Sequence, residues 1–321
     1  MKRIFMASLL ALSTCIHAAW HSDTQTIMGT RVHAELWHTD AAVAREVLDA
    51  VMAEMRRIDV LMSVYKDASD LSRMNREAGS RPVRVSEEIL WVLQLAERIS
   101  KLTAGAFDVT YASAGRYYDY RKGVRPDDAT LARAVDAIDY RYVVVDAERG
   151  LVSYKHPEVY VDLGGIAKGY AVDRCIGIFG RYGIRHGMVA AGGDSRIVGD
   201  RRGKPWTVGI KHPRDPQRMA ALLPLSDTAV STSGDYERYF EADGVRYHHI
   251  LDPKTGDSAR RVRSVTILGS DASLTDALST SVFVLGLEGG LALVNTLEGI
   301  DAIIVDAHGE LHFSDGLEGL E

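Results

Sequence analysis

Apolar residues at Val32, Ala34 and Leu36 alternate with polar ones, which predicts a half-buried strand. The period then lengthens. Val43, Val47, Val51, Met55, Ile58 and Met62 recur at three- and four-residue intervals and predict an amphipathic helix over roughly 40–62. A second helix is expected to start at Ser86 as its cap, with Glu87 and Glu88 favouring its positive end. Ile89, Leu93, Ala96 and Ile99 give that helix an apolar face. Segments 142–145 and 151–154 flank a Glu-Arg-Gly turn and read as a hairpin. Segment 159–162 leads into a glycine-rich run and a helix towards Phe179.

Strands are expected more densely after that, at 187–191, 206–211, 228–232, 247–251 and 264–268. Helices near 273–285 and 288–297 follow, then strands near 301–305 and 310–314. Hairpins mixed with helices, rather than a regular βαβ alternation, predict an α+β fold with mixed or antiparallel sheets covered by helices. No repeat, low-complexity tract or interdomain linker interrupts the chain, and the polar stretch 121–128 is the best loop.

The chain opens Met1-Lys2-Arg3, followed by an uncharged run from Ile4 to Ile16. A basic start and a short apolar stretch predict a secretory signal over residues 1–18, with Ala18 and Ala19 near the cleavage point. The run is shorter than the roughly 20 apolar residues a membrane span needs. Leu12-Ser13-Thr14-Cys15 loosely resembles a lipid-attachment motif, with Thr14 where Gly or Ala is usual, so a lipid tether at Cys15 is an alternative. No later stretch reads as a membrane span. The mature chain, 19–321, is therefore expected to be exported, periplasmic or attached to the periplasmic face of the membrane. It keeps one cysteine, Cys175, and so forms no internal disulfide. With 46% hydrophobic residues it can bury a sizeable core, in one domain or two closely joined lobes. A net charge of −6 and the lack of a Lys/Arg run argue against nucleic acid as a partner.

Chemistry is suggested first by Val161-Asp162-Leu163-Gly164-Gly165-Ile166-Ala167-Lys168-Gly169-Tyr170. Glycines let backbone approach phosphate oxygens, and a helix start favours negative charge. The same pattern fits an ordinary strand-to-helix turn. The spacing before Lys168 is wrong for a P-loop, and GxGxxG is absent. A second glycine turn follows at Ala191-Gly192-Gly193-Asp194. His248 and His249 are adjacent, so on a strand they face opposite ways and do not share a metal. Either could move a proton, since histidine titrates near neutrality, or serve only as a hydrogen-bonded strand residue. Asp276 and Thr280, four apart on a predicted helix, offer hard oxygens on one face. Magnesium uses such ligands beside substrate phosphates, although a single pair of this kind is also common on exposed helices.

Taken in order along the chain, these segments resemble the ApbE family, the FAD:protein FMN transferases. The resemblance covers nearly the whole mature chain. It rests on Met28-Gly29-Thr30, MSVY at 62–65, LSRMN at 71–75 and AGAFDVT at 104–110, where the family often has Pro in place of Val109. VDLGGIAKGYAVD at 161–173 is the most specific element. AGGD at 191–194, TSGDYERYF at 232–240, HHILDPKTG at 248–256 and TDALSTSVFVLG at 275–286 complete the set. The resemblance implies FAD contacts at Met28, Tyr65, Ala106, Phe107, Asp108, Lys168 and the Ile250 backbone, with Asp162 in the same pocket. It implies magnesium held by Asp276, Thr280 and the main-chain oxygen of Gly165. It also implies a role in activity for His249, with Asp276 the alternative base, and a cleft between lobes for FAD.

The implied reaction is displacement at the FMN phosphorus of FAD by a threonine or serine hydroxyl of an acceptor flavoprotein, with AMP leaving. The family's acceptors are subunits of membrane electron-transfer complexes and exported flavoproteins. FAD pyrophosphatase activity, with water replacing the acceptor, and FAD binding without turnover are the alternatives.

Overall fold

The computed structural model describes residues 19–317, so the expected signal segment and Cys15 lie outside the described residues. β1 (Ala19–Ile27) and β2 (Thr30–His38) form a hairpin closed by Met28 and Gly29, with φ of 55° and 70°. Positive φ at both turn positions matches the twist of the flanking strands. α1 (Ala41–Met62) is capped by the Asp40 carboxylate, which accepts from the Ala42 and Val43 amides, and it buries Val47, Val51, Met55, Ile58 and Met62 as its periodicity predicts. α2 (Asp70–Glu77), β3 (Val83–Arg84) and α3 (Glu87–Leu102) follow, and Ser86 caps α3 as expected, accepting from the Ile89 amide. Then come α4 (Ala112–Gly115), α5 (Asp128–Val135) and the hairpin of β4 (Val143–Asp146) and β5 (Leu151–Tyr154). Segment 159–162 is irregular rather than strand, and it feeds α6 (Ala167–Arg181).

The second half continues through β6 (Gly187–Ala191), β7 (Asp194–Val198), β8 (Trp206–His212), β9 (Asp215–Leu225) and β10 (Ala229–Gly234). β11 (Tyr239–Ala242), β12 (Val245–His248) and β13 (Val262–Gly269) lead to α7 (Ala272–Val294), β14 (Asp301–Asp306) and β15 (Leu311–Phe313). Eight strands form one antiparallel sheet in the order β1-β2-β6-β7-β10-β13-β14-β15. α1 and α6 bury their apolar faces with β2 and β6 in the larger core, and α7 does so with β13 and β14 in a second. The α+β expectation holds.

Two expectations are corrected. The strand read at 247–251 ends at His248, and the His249 amide makes one further bond to the Arg238 carbonyl at 3.2 Å. And α7 does have the length and apolarity to cross a bilayer, contrary to the sequence reading. It packs instead against β10, β13 and α6, with its Thr275 and Ser279 hydroxyls bonded to Ser231 and Ser233 of β10 at 2.8 Å each. Its apolarity is that of a core helix. The two helices expected here meet within Ala272–Val294 at Gly286, whose φ of 79° is non-helical and separates them.

Candidate active site

Where α6 meets α7, three charged side chains are drawn together. The Lys168 ammonium pairs with Asp194, at the head of β7, and stands 3.4 Å from Oδ1 of Asp276 on α7. Both carboxylates are buried. One ammonium faces two carboxylates, which leaves an excess negative charge in a poorly solvated place. Burial and the neighbouring Asp194 carboxylate therefore raise the Asp276 pKa to about 7, against the pull of Lys168 and the Gly169 amide. Burial works against the charge on Lys168, but the two carboxylates outweigh it and hold the lysine protonated.

The glycine-rich segment builds this junction. The Gly169 amide donates to Asp276 Oδ2 at 2.9 Å. Gly165 lies against α7, where a Cβ would come 3.4 Å from Thr280 Oγ1 and 3.3 Å from the Phe107 ring. Asp173 accepts from the Ala272 and Ser273 amides at 3.0 and 2.8 Å, so the last residue of the motif caps α7. Gly165, Asp276 and Thr280 are thus gathered around one junction, with Ser233 3.3 Å from Thr280 Oγ1. α6 begins without a side-chain cap from Ile166, and within its first turn the Gly169 amide is taken by the Asp276 carboxylate.

A second group adjoins the first. Arg238, exposed before β11, reaches 3.5 Å from the Tyr65 hydroxyl, and its charge acts on Asp162, Tyr111, Tyr120 and His249. Asp162 bends back on its own turn and accepts from the Gly164 amide at 2.6 Å. Burial raises its pKa despite that bond. Tyr65 is 80% exposed, which leaves its ring face free to stack.

The adjacent histidines divide. His248 is tied at both ring nitrogens, with Nε2 2.6 Å from the Ala259 carbonyl and Nδ1 accepting from the Ile250 amide at 3.3 Å. It is structural. His249 has a buried Nδ1 with no hydrogen-bond partner. Burial, then the charges of Arg238, His248 and Lys168, lower its pKa to about 3. Its ring is therefore neutral at ordinary pH.

Not every expected contact is displayed to an open surface. The Asp108 carboxylate is spent on the fold: Oδ1 accepts from the Thr110 amide and hydroxyl at 2.8 and 2.6 Å, and Oδ2 from the Tyr140 amide at 2.7 Å. Burial still raises its pKa to about 6. Ala106 and Phe107 are buried, and both main-chain groups of Ile250 are engaged, its carbonyl by the Ala259 amide at 3.0 Å. Met28 lies in the hairpin turn, next to the turn that leads to Asp194, where the Gly192 amide meets the Arg31 carbonyl at 2.9 Å. Asp194, Arg238 and Tyr111 were not singled out from sequence. The first two stand inside quoted motifs, AGGD and TSGDYERYF, and Tyr111 directly follows AGAFDVT. Only their meeting across the fold marks them.

The model of the ApbE family matches residues 28–304. The FAD:protein FMN transferase of Vibrio cholerae is 36% identical over 305 residues, covering 90% of this chain and 89% of the relative. That of Treponema pallidum is 30% identical, covering 92% and 87%. Among solved structures, the ApbE protein of Thermotoga maritima superposes with a TM-score of 0.87 at 35% identity, covering 94% of this chain and 99% of that one. The flavin transferase ApbE of Vibrio cholerae gives 0.84 at 30% identity, covering 94% and 99%.

Proposed function

The chain belongs to the ApbE family, and from that membership we propose that it is a magnesium-dependent FAD:protein FMN transferase acting on an acceptor flavoprotein. The observation that carries this is the α6–α7 junction, where Asp194 and Asp276 share the single ammonium of Lys168. An excess buried negative charge beside neutral oxygens is the donor set a hard divalent cation fits. Asp276, the Thr280 hydroxyl and the Gly165 carbonyl would hold magnesium. Bound there, the ion would neutralise the FAD pyrophosphate and stabilise charge on the leaving oxygen.

The protein's own groups supply the rest. The Lys168 ammonium favours the anionic pyrophosphate. Tyr65 offers a ring for stacking, and Arg238 a second cation beside Asp162. The acceptor hydroxyl attacks the FMN phosphorus, the bond to the AMP oxygen breaks, and AMP departs. Of the two histidines, His249 is the one left to take the hydroxyl proton, because His248 is bonded at both ring nitrogens. Asp276 suits that role less if it is bound to a metal.

We further propose that the enzyme is exported and that its acceptor is a subunit of a membrane electron-transfer complex or an exported flavoprotein. Mass spectrometry of a threonine-containing acceptor fragment, incubated with the protein, FAD and magnesium, tests the reaction. An increment of one FMN phosphoester with equimolar AMP is expected. FMN and AMP released with the acceptor unchanged would assign a pyrophosphatase instead. An FAD pool that stays intact would assign a flavin-binding protein.

A further inference from the structure

Thr280, the neutral side-chain oxygen at the α6–α7 junction, belongs to a line of hydroxyls. Its Oγ1 lies 3.3 Å from Ser233 Oγ on β10, and Ser233 Oγ lies 2.8 Å from Ser279 Oγ on α7. Ser279 Oγ in turn donates to the Asp276 carbonyl at 2.8 Å. The line runs inward, from half-buried Thr280 to fully buried Ser279. Ser233 takes part because β10 packs its side chains against α7. Ser231, two residues earlier and on the same strand face, reaches Thr275 Oγ1 at 2.8 Å in the same way. The proposed transfer gives neither Ser233 nor Ser279 a role.

The line has a direction. A hydroxyl carries one proton and two acceptor lone pairs, whereas a carbonyl only accepts. Ser279 therefore spends its proton on the Asp276 carbonyl. It is then left as the acceptor towards Ser233, so Ser233 donates in that bond. With its own proton spent, Ser233 accepts from Thr280. The Thr280 proton is thus committed to the protein, and its lone pairs are left for a partner in the site. That polarity suits a cation. A hydroxyl serving a phosphate oxygen would have to turn its proton outward instead, because phosphate oxygens accept.

We propose that Ser233 and Ser279 are positioning residues that fix the Thr280 hydroxyl as a cation ligand by drawing its proton away from the site. The inference rests on the reading of the α6–α7 junction as a magnesium site. Because the line ends on the main chain of Asp276, the backbone that carries one ligand also sets the direction of the other. Groups that orient a ligand in this way are typically worth about 10–100-fold in metal affinity.

The test titrates magnesium chloride into the mature protein and reads the rise in melting temperature, with the magnesium dependence of AMP release as a second readout. Ser233→Ala should raise the magnesium concentration for half the effect by roughly 10–100-fold in both, with FAD affinity measured without metal unchanged. Ser279→Ala should shift it in the same direction, since Ser233 is then free to turn its proton towards Thr280. Ser231→Ala removes the equivalent bond from β10, to Thr275 rather than Thr280, so it should lower the melting temperature and leave the magnesium concentration alone. If Ser233→Ala does not fold, Ser279→Ala decides. Wild-type magnesium dependence in a folded Ser233→Ala would overturn the inference, as would an equal shift in Ser231→Ala. A wild type whose melting and AMP release both ignore magnesium would overturn the reading of the site itself, and this orientation with it.

Discussion

The main-chain amide of Gly169 donates to Oδ2 of Asp276 at 2.9 Å, and a Cβ on Gly169 would stand only 2.8 Å from the Cβ of that aspartate. The two facts have one cause: a residue without a side chain lets α6 approach α7 until its backbone reaches the carboxylate. In an open helix Gly→Ala gains roughly 1 kcal/mol from propensity. Here the methyl group meets the Ala272 carbonyl and Asp276, and overpacking of about 1–3 kcal/mol wins. Gly169→Ala should therefore lower the melting temperature and the transfer rate together. A stabilised variant with full activity would refute the close approach.

Asp276→Asn keeps an acceptor for the Gly169 amide and removes the charge. The fold should survive, judged by an unchanged circular dichroism spectrum, while magnesium-dependent AMP release is abolished. FAD affinity should fall only modestly. Undiminished AMP release would remove Asp276 from the proposed metal site.

Lys168→Met leaves Asp194 and Asp276 buried together without their counter-ion. Breaking a buried pair from one side costs about 3–5 kcal/mol, so the variant should melt well below wild type. Added magnesium should recover more of its melting temperature than it adds to wild type, since the cation would answer the same excess charge. Calorimetry with and without magnesium reads this directly. A variant insensitive to magnesium would argue that the ion binds elsewhere.

His249→Ala should slow single-turnover transfer by roughly 10²–10⁴-fold, the usual loss for a positioned base, with little change in FAD affinity. With its pKa lowered to about 3, the ring is neutral throughout pH 5–8, so wild type and variant should share the shape of their rate profiles there. An acidic limb near pH 6 in wild type that vanishes in the variant would contradict the neutral ring. Stability gives a second check. The unfolded ring binds a proton below about pH 6.5, whereas the folded ring resists until about 3, so this residue costs stability as pH falls through that window. His249→Ala should lose less stability than wild type between pH 6.5 and 4 in thermal melts.

The uncharged run from Ile4 to Ile16 should be absent from protein recovered after export. Intact-mass measurement is expected to give an N-terminus near Ala19. A retained Met1 would exclude cleavage, and a lipid increment on Cys15 would establish a tether instead.

Local patterns determined much of this protein. Periodicity located α1, α3, β2 and β6 because each is written in neighbouring residues: an apolar stripe, a capping Ser86, an alternation through Val32, Ala34 and Leu36. β1 escaped because it is an edge strand with little burial to impose a pattern, and α2 because eight residues give too few turns to read. The break within α7 was legible too, since Gly286 stands where the helical pattern lapses and takes a non-helical φ of 79°. The segment VDLGGIAKGYAVD announced a special site from sequence, but only the tertiary structure divided its labour. Gly165 lies close against the Phe107 ring and Thr280, Lys168 balances Asp194 and Asp276, Gly169 brings two helices into contact, and Asp173 caps a helix about a hundred residues further on. Likewise the pair His248 and His249 is symmetrical in sequence, and its division followed from which ring nitrogens found partners. A pattern along the chain records what a segment needs to bury. What a side chain then does is set by the charges and backbone that packing brings opposite it.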